Sequence, residues 1–404
     1  MPKIGKEKPK SIAKTKVKSL KTKTVKKPDY NRLALVRHKK MKGKLTVESK
    51  GELVTKEDWS TMYTPGVGAV SAYLAKNPKE TRNYTIKRNT VAVISDGSAV
   101  LGLGNIGPLA ALPVMEGKCA IFKEMAGVDA FPIVLNTQNP DEIISIVKAI
   151  APTFGGINLE DIAAPKCFYV EEKLKAELDI PVMHDDQHGT AIVILAGLIN
   201  ATKVVKKKLE SLKVVIVGAG AAGRATAFLL KEAGIENIII TDSKGIIYKG
   251  RRGLDGYKLH LSQVTNPTRV EGDVMAAVTG ADVLIGVSGP GTIARAHIEA
   301  MNEKAVVFAM ANPIPEIMPE DAKQAGAMVV ATGRSDFLNQ VNNALVFPGI
   351  FRGALDNGVK EITDKMKLLA AKKIAGLIKK PTPEEIIPSV MNKDLVKVVA
   401  GAVR

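Results

Sequence analysis

The sequence predicts an α/β protein with a parallel β-sheet in its C-terminal half. Short apolar runs rich in β-branched residues alternate there with stretches of helical periodicity, which is typical of strands buried on both faces. These runs span residues 213–217, 237–241, 282–287, 305–310 and 328–331. The N-terminal half also alternates strand-like and helix-like segments, and a chain of 404 residues is long enough for two domains with separate cores.

The segment Leu212–Gly223 reads LKVVIVGAGAAG and joins the first of these strands to a helix-like stretch. Its glycines have separate tasks: Gly218 permits a tight turn, Gly220 lets the backbone approach a pyrophosphate, and Gly223 allows close packing of helix on strand. Exposed N–H groups and the positive end of the helix would hold the phosphates. The segment therefore predicts a Rossmann-type domain that binds a dinucleotide.

The strand after this turn supports the same interpretation. Asn237–Thr241 leads to Asp242, about twenty residues past the last glycine, where a carboxylate would accept a hydrogen bond from the ribose 2′-hydroxyl. A carboxylate there favours NAD, although Lys244 could offset its repulsion of the 2′-phosphate of NADP. A second match to the glycine pattern, Gly102–Gly107, does not directly follow the strand-like Thr90–Ser95, so it cannot couple a strand to a helix.

The composition is that of a soluble globular protein, with 46% hydrophobic and 25% charged residues. We find no apolar run long enough for a membrane span and no signal-peptide core, so we expect a cytoplasmic protein. The two cysteines are too few for a disulfide framework. The net charge of +17 is concentrated in the lysine-rich residues 1–28, which we expect to be a disordered basic tail. Nonspecific contact of this tail with nucleic acid is the alternative interpretation.

Other segments are assigned from local patterns. Pro140–Ala151 keeps the spacing of an amphipathic helix, and the apolar Thr190–Val205 predicts a long helix that bridges to the second domain. Leu45–Val54 alternates weakly, as a short strand or hairpin would, and Lys118–Lys123 is predicted as a short strand. Arg251–Asp273 is polar and predicts an irregular excursion.

Acidic residues follow two of the apolar segments in the N-terminal half. They are Glu160, Asp161, Asp185 and Asp186. Three carboxylates converging from two loops would suit a hard cation, Mg²⁺ or Mn²⁺. The neighbouring His184 and His188 raise the possibility of zinc, but no third soft ligand lies nearby in sequence. Any one of these acids alone would be explained as a helix cap or a surface charge.

Tyr63 and Lys118 are further candidates for catalysis. Tyr63 precedes a turn shaped by proline and glycine, where a tyrosine is commonly half-buried without a chemical role. Lys118, at the start of its predicted strand, would lose part of its preference for the charged form beside a divalent cation and could then act as a base. On spacing alone, Lys123 is a close competitor.

These residues lie in motifs that resemble the malic enzymes, specifically the small bacterial and archaeal type. The motifs occur in the family's order over roughly residues 30–395 and are Tyr63–Val67, Ser95–Ser98 with Leu101–Gly107, Glu116–Lys118, Gly127–Ala130, Asn158–Asp161, His184–Thr190, Gly218–Gly223, Ala311–Pro313, Asn339–Asn343 and Phe351–Asp356. The combination is far more specific than any single motif.

The resemblance implies a role for each matching residue. The metal ligands would be Glu160, Asp161 and Asp186, and the substrate would contact Ser98, Asn312 and Asn343. Lys118 would be the general base, which decides against Lys123, and Tyr63 the general acid. The dinucleotide would contact Gly218, Ala219, Gly220, Ala221, Ala222, Gly223, Asp242, Ser288 and Asn312.

The resemblance also implies the reaction: (S)-malate is oxidised and decarboxylated to pyruvate and CO₂, with NAD or NADP as hydride acceptor. A homodimer is implied, with a substrate, metal and dimerisation domain at residues 29–186 and the NAD(P)-binding domain, with C-terminal helices, at residues 187–404. The alternatives are a related metal-dependent 2-hydroxy-acid dehydrogenase, an oxaloacetate decarboxylase, or a cofactor-sensing protein that binds nucleic acid through its basic tail.

Two positions depart from the family pattern. Ala99 stands where larger, eukaryotic-type members have an arginine that clamps a substrate carboxylate, so another cation or backbone donors must serve here. Leu338 stands where the small type commonly has proline, a change expected to alter loop stiffness rather than chemistry.

Overall fold

Two β-sheets organise residues 29–404, the part of the chain that the computed structural model describes. The basic tail predicted for residues 1–28 lies outside the described residues. The first sheet has the order β2-β1-β3-β4 and is entirely parallel. Its strands are β1 (Thr90–Ser95), β2 (Asp129–Val134), β3 (Gly156–Leu159) and β4 (Val182–His184).

The second sheet has six strands in the order β10-β9-β8-β5-β6-β7, and only β7 is antiparallel to its neighbour. Its strands are β5 (Val214–Val217), β6 (Ile238–Asp242), β7 (Gly245–Ile246), β8 (Val283–Gly286), β9 (Val306–Ala309) and β10 (Val329–Thr332). The order reverses at β5, as in doubly wound dinucleotide-binding sheets. The five strands predicted from the apolar runs are all present.

The described residues also form sixteen α-helices. They are α1 (Tyr30–Met41), α2 (Lys56–Met62), α3 (Gly66–Lys76), α4 (Thr81–Tyr84), α5 (Gly107–Ala126), α6 (Pro140–Ile150), α7 (Lys166–Glu177), α8 (Asp185–Val205), α9 (Ala221–Glu232), α10 (Gly256–Val264), α11 (Val274–Val278), α12 (Arg295–Glu299), α13 (Pro319–Gln324), α14 (Phe347–Asn357), α15 (Asp364–Ala375) and α16 (Leu395–Ala400). Residues 29–43, which contain α1, form a unit of their own, and residues 44–404 form a second unit.

Strand β1 shows how the first sheet is buried on both faces. Val91 and Val93 join a core that includes α5 and α8, whereas Ala92 and Ile94 join another core with α6 and α7. Because successive side chains of a strand point to opposite faces, helices must cover both sides of the sheet. Such strands read as continuous apolar runs, which explains why the sequence predicted this strand correctly.

Helix α8 is the central helix of the larger core. It begins directly after β4 and packs against α9 and α15, so the same core reaches both sheets. By length and composition it could cross a membrane, which corrects our expectation that no apolar run was long enough. Of its most apolar 18-residue window, 72% is buried inside the protein, and packing on both sides accounts for its composition.

The strand predicted at Lys118–Lys123 is wrong, because these residues belong to the long helix α5. The buried side chains Ala111, Met115, Cys119 and Phe122 recur at helical spacing and pack into the core. A proline at 113 and a glycine at 117 interrupt the run in the sequence, and both lower helical propensity. Tertiary burial of one helix face outweighs that local preference.

Two other local predictions need correction. Leu45–Val54 forms no strand and is irregular. Arg251–Asp273 is not wholly irregular, because α10 lies within it, with the Asp255 side chain accepting a hydrogen bond from the backbone N–H of Lys258 at the start of that helix. Residues 44–404 form one compact unit, so this division does not test the predicted domain boundary after residue 186, which stays a prediction.

Candidate active site

Acidic residues, among them the predicted Glu160 and Asp185, lie where strands of the first sheet end. Asp96 follows β1, Glu160 follows β3 and Asp185 follows β4. These three strands are neighbours and run parallel, so their carboxyl ends share one edge of the sheet. Strand order reverses between β1 and β3, and ligands of open α/β sheets bind at such a point.

Lys118 lies in a cluster with four acids, Glu160, Asp161, Asp185 and Asp186. Its Nζ is 2.5 Å from Glu160 Oε2 and forms an ion pair with Asp185 Oδ2. The same ammonium lies 4.3 Å from the centre of the Phe347 ring, and the side chain is only 6% exposed. A buried helix position therefore holds Lys118, whereas Lys123 of the same helix pairs with Asp129 at an exposed site.

Three carboxylates beside Lys118 have the arrangement of a cation site. Glu160, Asp161 and Asp186 each offer an oxygen, and these oxygens lie within 4.8 Å of one another. The backbone N–H of Asp161 donates to Asp186 Oδ2 at 2.8 Å, which joins the two loops. Asp161 Oδ2 is buried and has no hydrogen-bond partner among the described residues. An unpaired buried oxygen of this kind is costly unless a ligand satisfies it.

The charges in the cluster perturb one another strongly. Burial, together with the charge of Asp186, raises the pKa of Asp161 to about 7. Burial also raises the pKa of Glu160 well above its usual range. Burial alone would lower the pKa of Lys118, but the carboxylates of Asp185 and Glu160 outweigh that effect and raise it. A divalent cation on the same carboxylates would oppose this attraction.

Ser98 lies next to the cluster, but its hydroxyl is already engaged. It donates to Asp96 Oδ1 at 2.6 Å and accepts from the backbone N–H of Ala163 at 2.9 Å. The other oxygen of Asp96 pairs with Lys166. A hydroxyl has one proton to donate, so Ser98 as placed here orders the loop after Asp161. Its predicted contact with substrate stays a prediction.

Two predicted substrate residues approach the first sheet from the C-terminal half. A Cβ on Gly102 would overlap the backbone oxygen of Asn312, so the glycine-rich loop after β1 packs directly on that segment. A Cβ on Gly189, in α8, would lie 3.1 Å from Cβ of Asn343. Asn343 therefore lies beside the helix that carries Asp185 and Asp186.

Tyr63 follows α2 and is 61% exposed. Its hydroxyl makes no hydrogen bond with any described residue. Other large apolar side chains near it in sequence are also exposed: Val47, Leu53, Trp59, Met62 and Tyr73. Tyr63 thus lies in a stretch of chain with several exposed apolar side chains, and no described hydrogen bond or ion pair joins it to the lysine–carboxylate cluster.

The predicted glycine turn lies between β5 and α9, and its glycines are required for different reasons. A Cβ on Gly218, whose φ is +122°, would be 2.5 Å from the backbone oxygen of Val287, which follows β8. A Cβ on Gly223 would overlap the backbone oxygen of Gly218. Gly220 faces open space, which leaves room for a phosphate at the start of the helix.

A cavity of about 1150 Å³ extends from this turn. It is large enough for a dinucleotide, and its lining includes Gly218, Ala219, Gly220, Asp242 and Ser288 from the predicted set. Arg224 of α9 also lines it, with its guanidinium 4.7 Å from the Phe168 ring centre and 5.3 Å from that of Tyr257. These cation–π contacts join α7, α9 and α10 at one wall of the cavity.

Glu316 connects the two C-terminal loops that carry predicted cofactor contacts. Its carboxylate accepts the backbone N–H of Ser288 and that of Ala311, each at 2.9 Å. The side chain is completely buried, and burial raises its pKa. Ser288 also shares a hydrogen bond with Thr292 at 2.8 Å. One buried acid therefore orders both loops.

Sequence reasoning missed several residues of these sites. Asp185 was noted only as a member of the acidic run, although the order of β3 and β4 could have shown that it lies beside Glu160. Arg224, directly after the last glycine of the turn, had a clear positional signal. No sequence signal pointed to Glu316 or to Arg251 and Lys258, which bind Asp242.

The fold and these sites together define a dinucleotide-dependent oxidoreductase: a doubly wound sheet with its phosphate turn, beside a sheet whose edge carries a buried lysine among carboxylates.

Comparisons with known proteins identify the family. Residues 42–175 match the family model described as malic enzyme, N-terminal domain, and residues 187–403 match malic enzyme, NAD binding domain. The NAD-dependent malic enzyme of Geobacillus stearothermophilus is 56% identical over 363 residues, or 89% of this chain and 76% of that protein. The NADP-dependent malic enzyme of Escherichia coli K12 is 45% identical over 357 residues, covering 87% of this chain and 47% of that protein.

A solved structure agrees with these matches. The crystal structure of the NAD-dependent malic enzyme from Thermotoga maritima has a TM-score of 0.89 and 49% identity, covering 92% of this chain and 98% of that one. The chain belongs to the malic enzyme family. The predictions of the family, of the α/β fold class and of an NAD(P)-dependent malic enzyme are therefore confirmed.

Proposed function

We propose that the chain converts (S)-malate and NAD or NADP to pyruvate, CO₂ and the reduced dinucleotide, and that it requires Mg²⁺ or Mn²⁺. The observation that carries this proposal is the buried Lys118 ammonium in contact with Glu160 and Asp185, beside an unpaired oxygen of Asp161. A lysine positioned by carboxylates is suited to move a proton, and the unpaired oxygen is suited to a cation.

The residues of the acidic cluster fit a hard divalent cation. All three candidate ligands are carboxylates within 4.8 Å of one another, and one of their oxygens is buried without a partner. Glu160, Asp161 and Asp186 would hold the ion. When bound, it would supply Lewis-acid stabilisation of negative charge on the substrate oxygens. The soft ligands that zinc prefers are not part of this set.

Lys118 would take the proton of the C2 hydroxyl while the nicotinamide accepts the hydride. Asp185 supports this role because its carboxylate contacts the Lys118 ammonium and fixes its position. The burial of the pair excludes water from the proton transfer. After loss of CO₂ from C4, Tyr63 would donate a proton to C3 of the resulting enolate.

Asn312 and Asn343 would hold the substrate carboxylates through their side-chain amides. The positions of the two residues support this role, because Asn312 packs on the Gly102 loop and Asn343 lies beside Gly189. With Ala99 in place of the arginine of larger members, these amides and backbone N–H groups would be the neutral donors available to a dicarboxylate.

A homodimer would cover the apolar surface around Tyr63. Trp59, Met62 and Tyr63 are each more than half exposed, and contiguous exposed apolar surface commonly marks a protein interface. A second copy of the chain over this surface would also shield Tyr63 from bulk water. Sedimentation equilibrium of the purified chain tests this proposal, and a monomer at all concentrations would contradict it.

The proposed reaction is tested by product stoichiometry. With malate, Mn²⁺ and either dinucleotide, reduced dinucleotide, pyruvate and CO₂ should form in equal amounts. Reduced dinucleotide without CO₂ would instead identify a 2-hydroxy-acid dehydrogenase. CO₂ from added oxaloacetate, without turnover of malate, would identify a decarboxylase.

A further inference from the structure

A buried glutamate interrupts the apolar face of α7. The buried side chains of this helix are Cys167, Phe168, Val170, Glu171 and Leu174, and all of them except Glu171 belong to the core that α6 and α7 form with the first sheet. Glu171 is only 5% exposed. A carboxylate in such a place is costly unless hydrogen bonds satisfy it. Its hydrogen-bond partners therefore indicate what the acid does.

The Glu171 carboxylate binds the start of α8. Its Oε1 accepts a hydrogen bond from the backbone N–H of His184 at 2.9 Å. Its Oε2 accepts from Gln187 Nε2 at 2.8 Å and from His188 Nε2 at 3.1 Å. These three donors belong to the last residue of β4 and to the first turn of α8. One carboxylate thus ties α7 to the junction between β4 and α8.

This junction carries two residues of the proposed active site. Asp185 contacts Lys118, and Asp186 is a candidate cation ligand. Both lie in sequence between the residues that Glu171 binds, so the chain is held on either side of them. No described hydrogen bond or ion pair joins Glu171 to Lys118 or to these two acids. Glu171 can therefore act on the site only through the residues that it binds.

The start of α8 lacks a cap from its own side chains. His184 occupies the N-cap position, and its side chain makes no capping hydrogen bond. A cap side chain normally satisfies a free N–H group at a helix start and fixes where the helix begins. Glu171 supplies a comparable restraint from a neighbouring helix, because it binds the backbone of the N-cap residue.

The two acids have little room to compensate for a displacement of α8. A Cβ on Gly189, one turn later, would overlap Asp185 Oδ1, so this carboxylate lies against the helix backbone. The other oxygen of Asp185 contacts Lys118. Asp186 Oδ2 accepts from the backbone N–H of Asp161 at 2.8 Å. A shift of the first turn of α8 would therefore change both contacts.

We propose that Glu171 is a positioning residue, which fixes the start of α8 and so holds Asp185 and Asp186 in place for the base and the cation. This inference rests on the proposed function for the roles of the base and the cation, and on the contacts of Glu171 for its geometry. Replacing a residue that orients metal ligands typically lowers metal affinity or activity by roughly 10–100-fold. We expect an effect of that size here.

The binding test is a calorimetric titration of the full chain with Mn²⁺. Glu171→Gln keeps the size of the side chain but places an amide NH₂ where Oε2 accepted two hydrogen bonds. The affinity for Mn²⁺ should fall about tenfold or more, and the affinity for NAD or NADP should stay within about twofold. At saturating Mn²⁺, kcat for malate should still be reduced, because Asp185 no longer holds Lys118 in place, whereas KM for the dinucleotide should not change.

Two controls separate positioning from loss of charge and from loss of stability. Glu172→Gln removes the same charge from the next residue of α7, whose side chain is 57% exposed, and should leave the affinity for Mn²⁺ at the parental value. Asp282→Asn alters a buried acid that accepts the backbone N–H of Lys213 at 2.9 Å, directly before β8. It should lower the unfolding temperature, as Glu171→Gln does, without weakening Mn²⁺ binding. Equal weakening of Mn²⁺ binding in Asp282→Asn and Glu171→Gln would overturn the inference.

Gln187→Met is a second variant that leaves the acid in place. It removes one of the three hydrogen bonds of Glu171 with little change in volume, so its affinity for Mn²⁺ should lie between those of the parent and of Glu171→Gln. The inference is overturned if Glu171→Gln binds Mn²⁺ as tightly as the parent. If Glu171→Gln does not fold, parental affinity in Gln187→Met overturns it instead.

The two proposals fail separately. If Mn²⁺ binding depends on Glu171 but the parent does not turn over malate, the proposed reaction is wrong and the positioning role stands. If Glu171→Gln turns over malate and binds Mn²⁺ as the parent does, the positioning role is wrong and the reaction stands.

Discussion

Replacing Lys118 with alanine removes the buried cation of the acidic cluster and the proposed general base at once. Loss of a general base typically lowers the rate by roughly 10²–10⁴-fold, so we expect a reduction of that size in kcat for malate oxidation. Lys123→Ala is the matched control on the same helix, because Lys123 is 59% exposed and pairs with Asp129 at the surface. It should retain parental kcat.

The same substitution should also lower the unfolding free energy of the protein. Without the ammonium, Glu160 and Asp185 are buried as carboxylates without their counter-ion, at a cost of about 3 kcal/mol or more in unfolding free energy. Burial raises the pKa of both acids, so they take up protons as the pH falls, and the cost should diminish in the same direction. The exposed pair at Lys123 should contribute less than about 1 kcal/mol.

Steady-state kinetics and urea unfolding, each with and without Mn²⁺, measure these effects. Mn²⁺ should stabilise Lys118→Ala more than the parent, because the ion supplies the positive charge that the variant lacks. Lys118 is not the general base if Lys118→Ala oxidises malate at the parental rate. A loss of activity equal in Lys118→Ala and Lys123→Ala would refute the assignment of the base.

Three further predictions concern Tyr63, the glycine turn and the cation ligands. Tyr63→Phe should retain malate oxidation but slow the protonation of C3, so that pyruvate forms more slowly than the reduced dinucleotide. Equal rates of formation of the two products would contradict its role as acid. Gly220 faces open space, so Gly220→Ala should fold normally but bind the dinucleotide more weakly in calorimetry. A Cβ at position 223 meets the Gly218 oxygen, so Gly223→Ala should lower the thermal unfolding temperature. If both variants behaved alike, the separate roles of the glycines would be wrong. Burial raises the pKa of Asp161 to about 7, so protons should compete with Mn²⁺ for this carboxylate. The affinity for Mn²⁺ should therefore fall as the pH drops below about 7. A constant Kd for Mn²⁺ from pH 6 to 8 would contradict this.

The parts of the fold that the sequence predicted well are those buried on both sides. Strands β5, β6, β8, β9 and β10 are short apolar runs because helices cover both faces of their sheet, so pattern and structure coincide. The glycine turn was equally clear, since backbone sterics at Gly218 and Gly223 permit no other residue. Helix α5 was misread because Gly117 and Lys118 interrupt its apolar face at the very positions where the site is built.

The residues of the site also differ in how far the sequence predicted them. The carboxylates Glu160 and Asp161 were predictable because they follow a strand end, and Lys118 was assigned only by resemblance to the family. The partners of Asp242 were not predictable, because they lie in a polar segment without periodicity and are brought to β6 by tertiary packing. The exposure of Tyr63 was not predictable, because the sequence around it indicated only a turn shaped by proline and glycine.

We propose that the carboxylates around Lys118 bind the divalent cation used in malate oxidation. This is tested by titrating the parent and Asp161→Asn with Mn²⁺ and measuring both binding, by calorimetry, and malate turnover on the same samples. The parent should bind one ion per chain, with turnover that saturates together with binding, and the variant should lose both. Malate turnover that persists in Asp161→Asn without bound Mn²⁺ would contradict it.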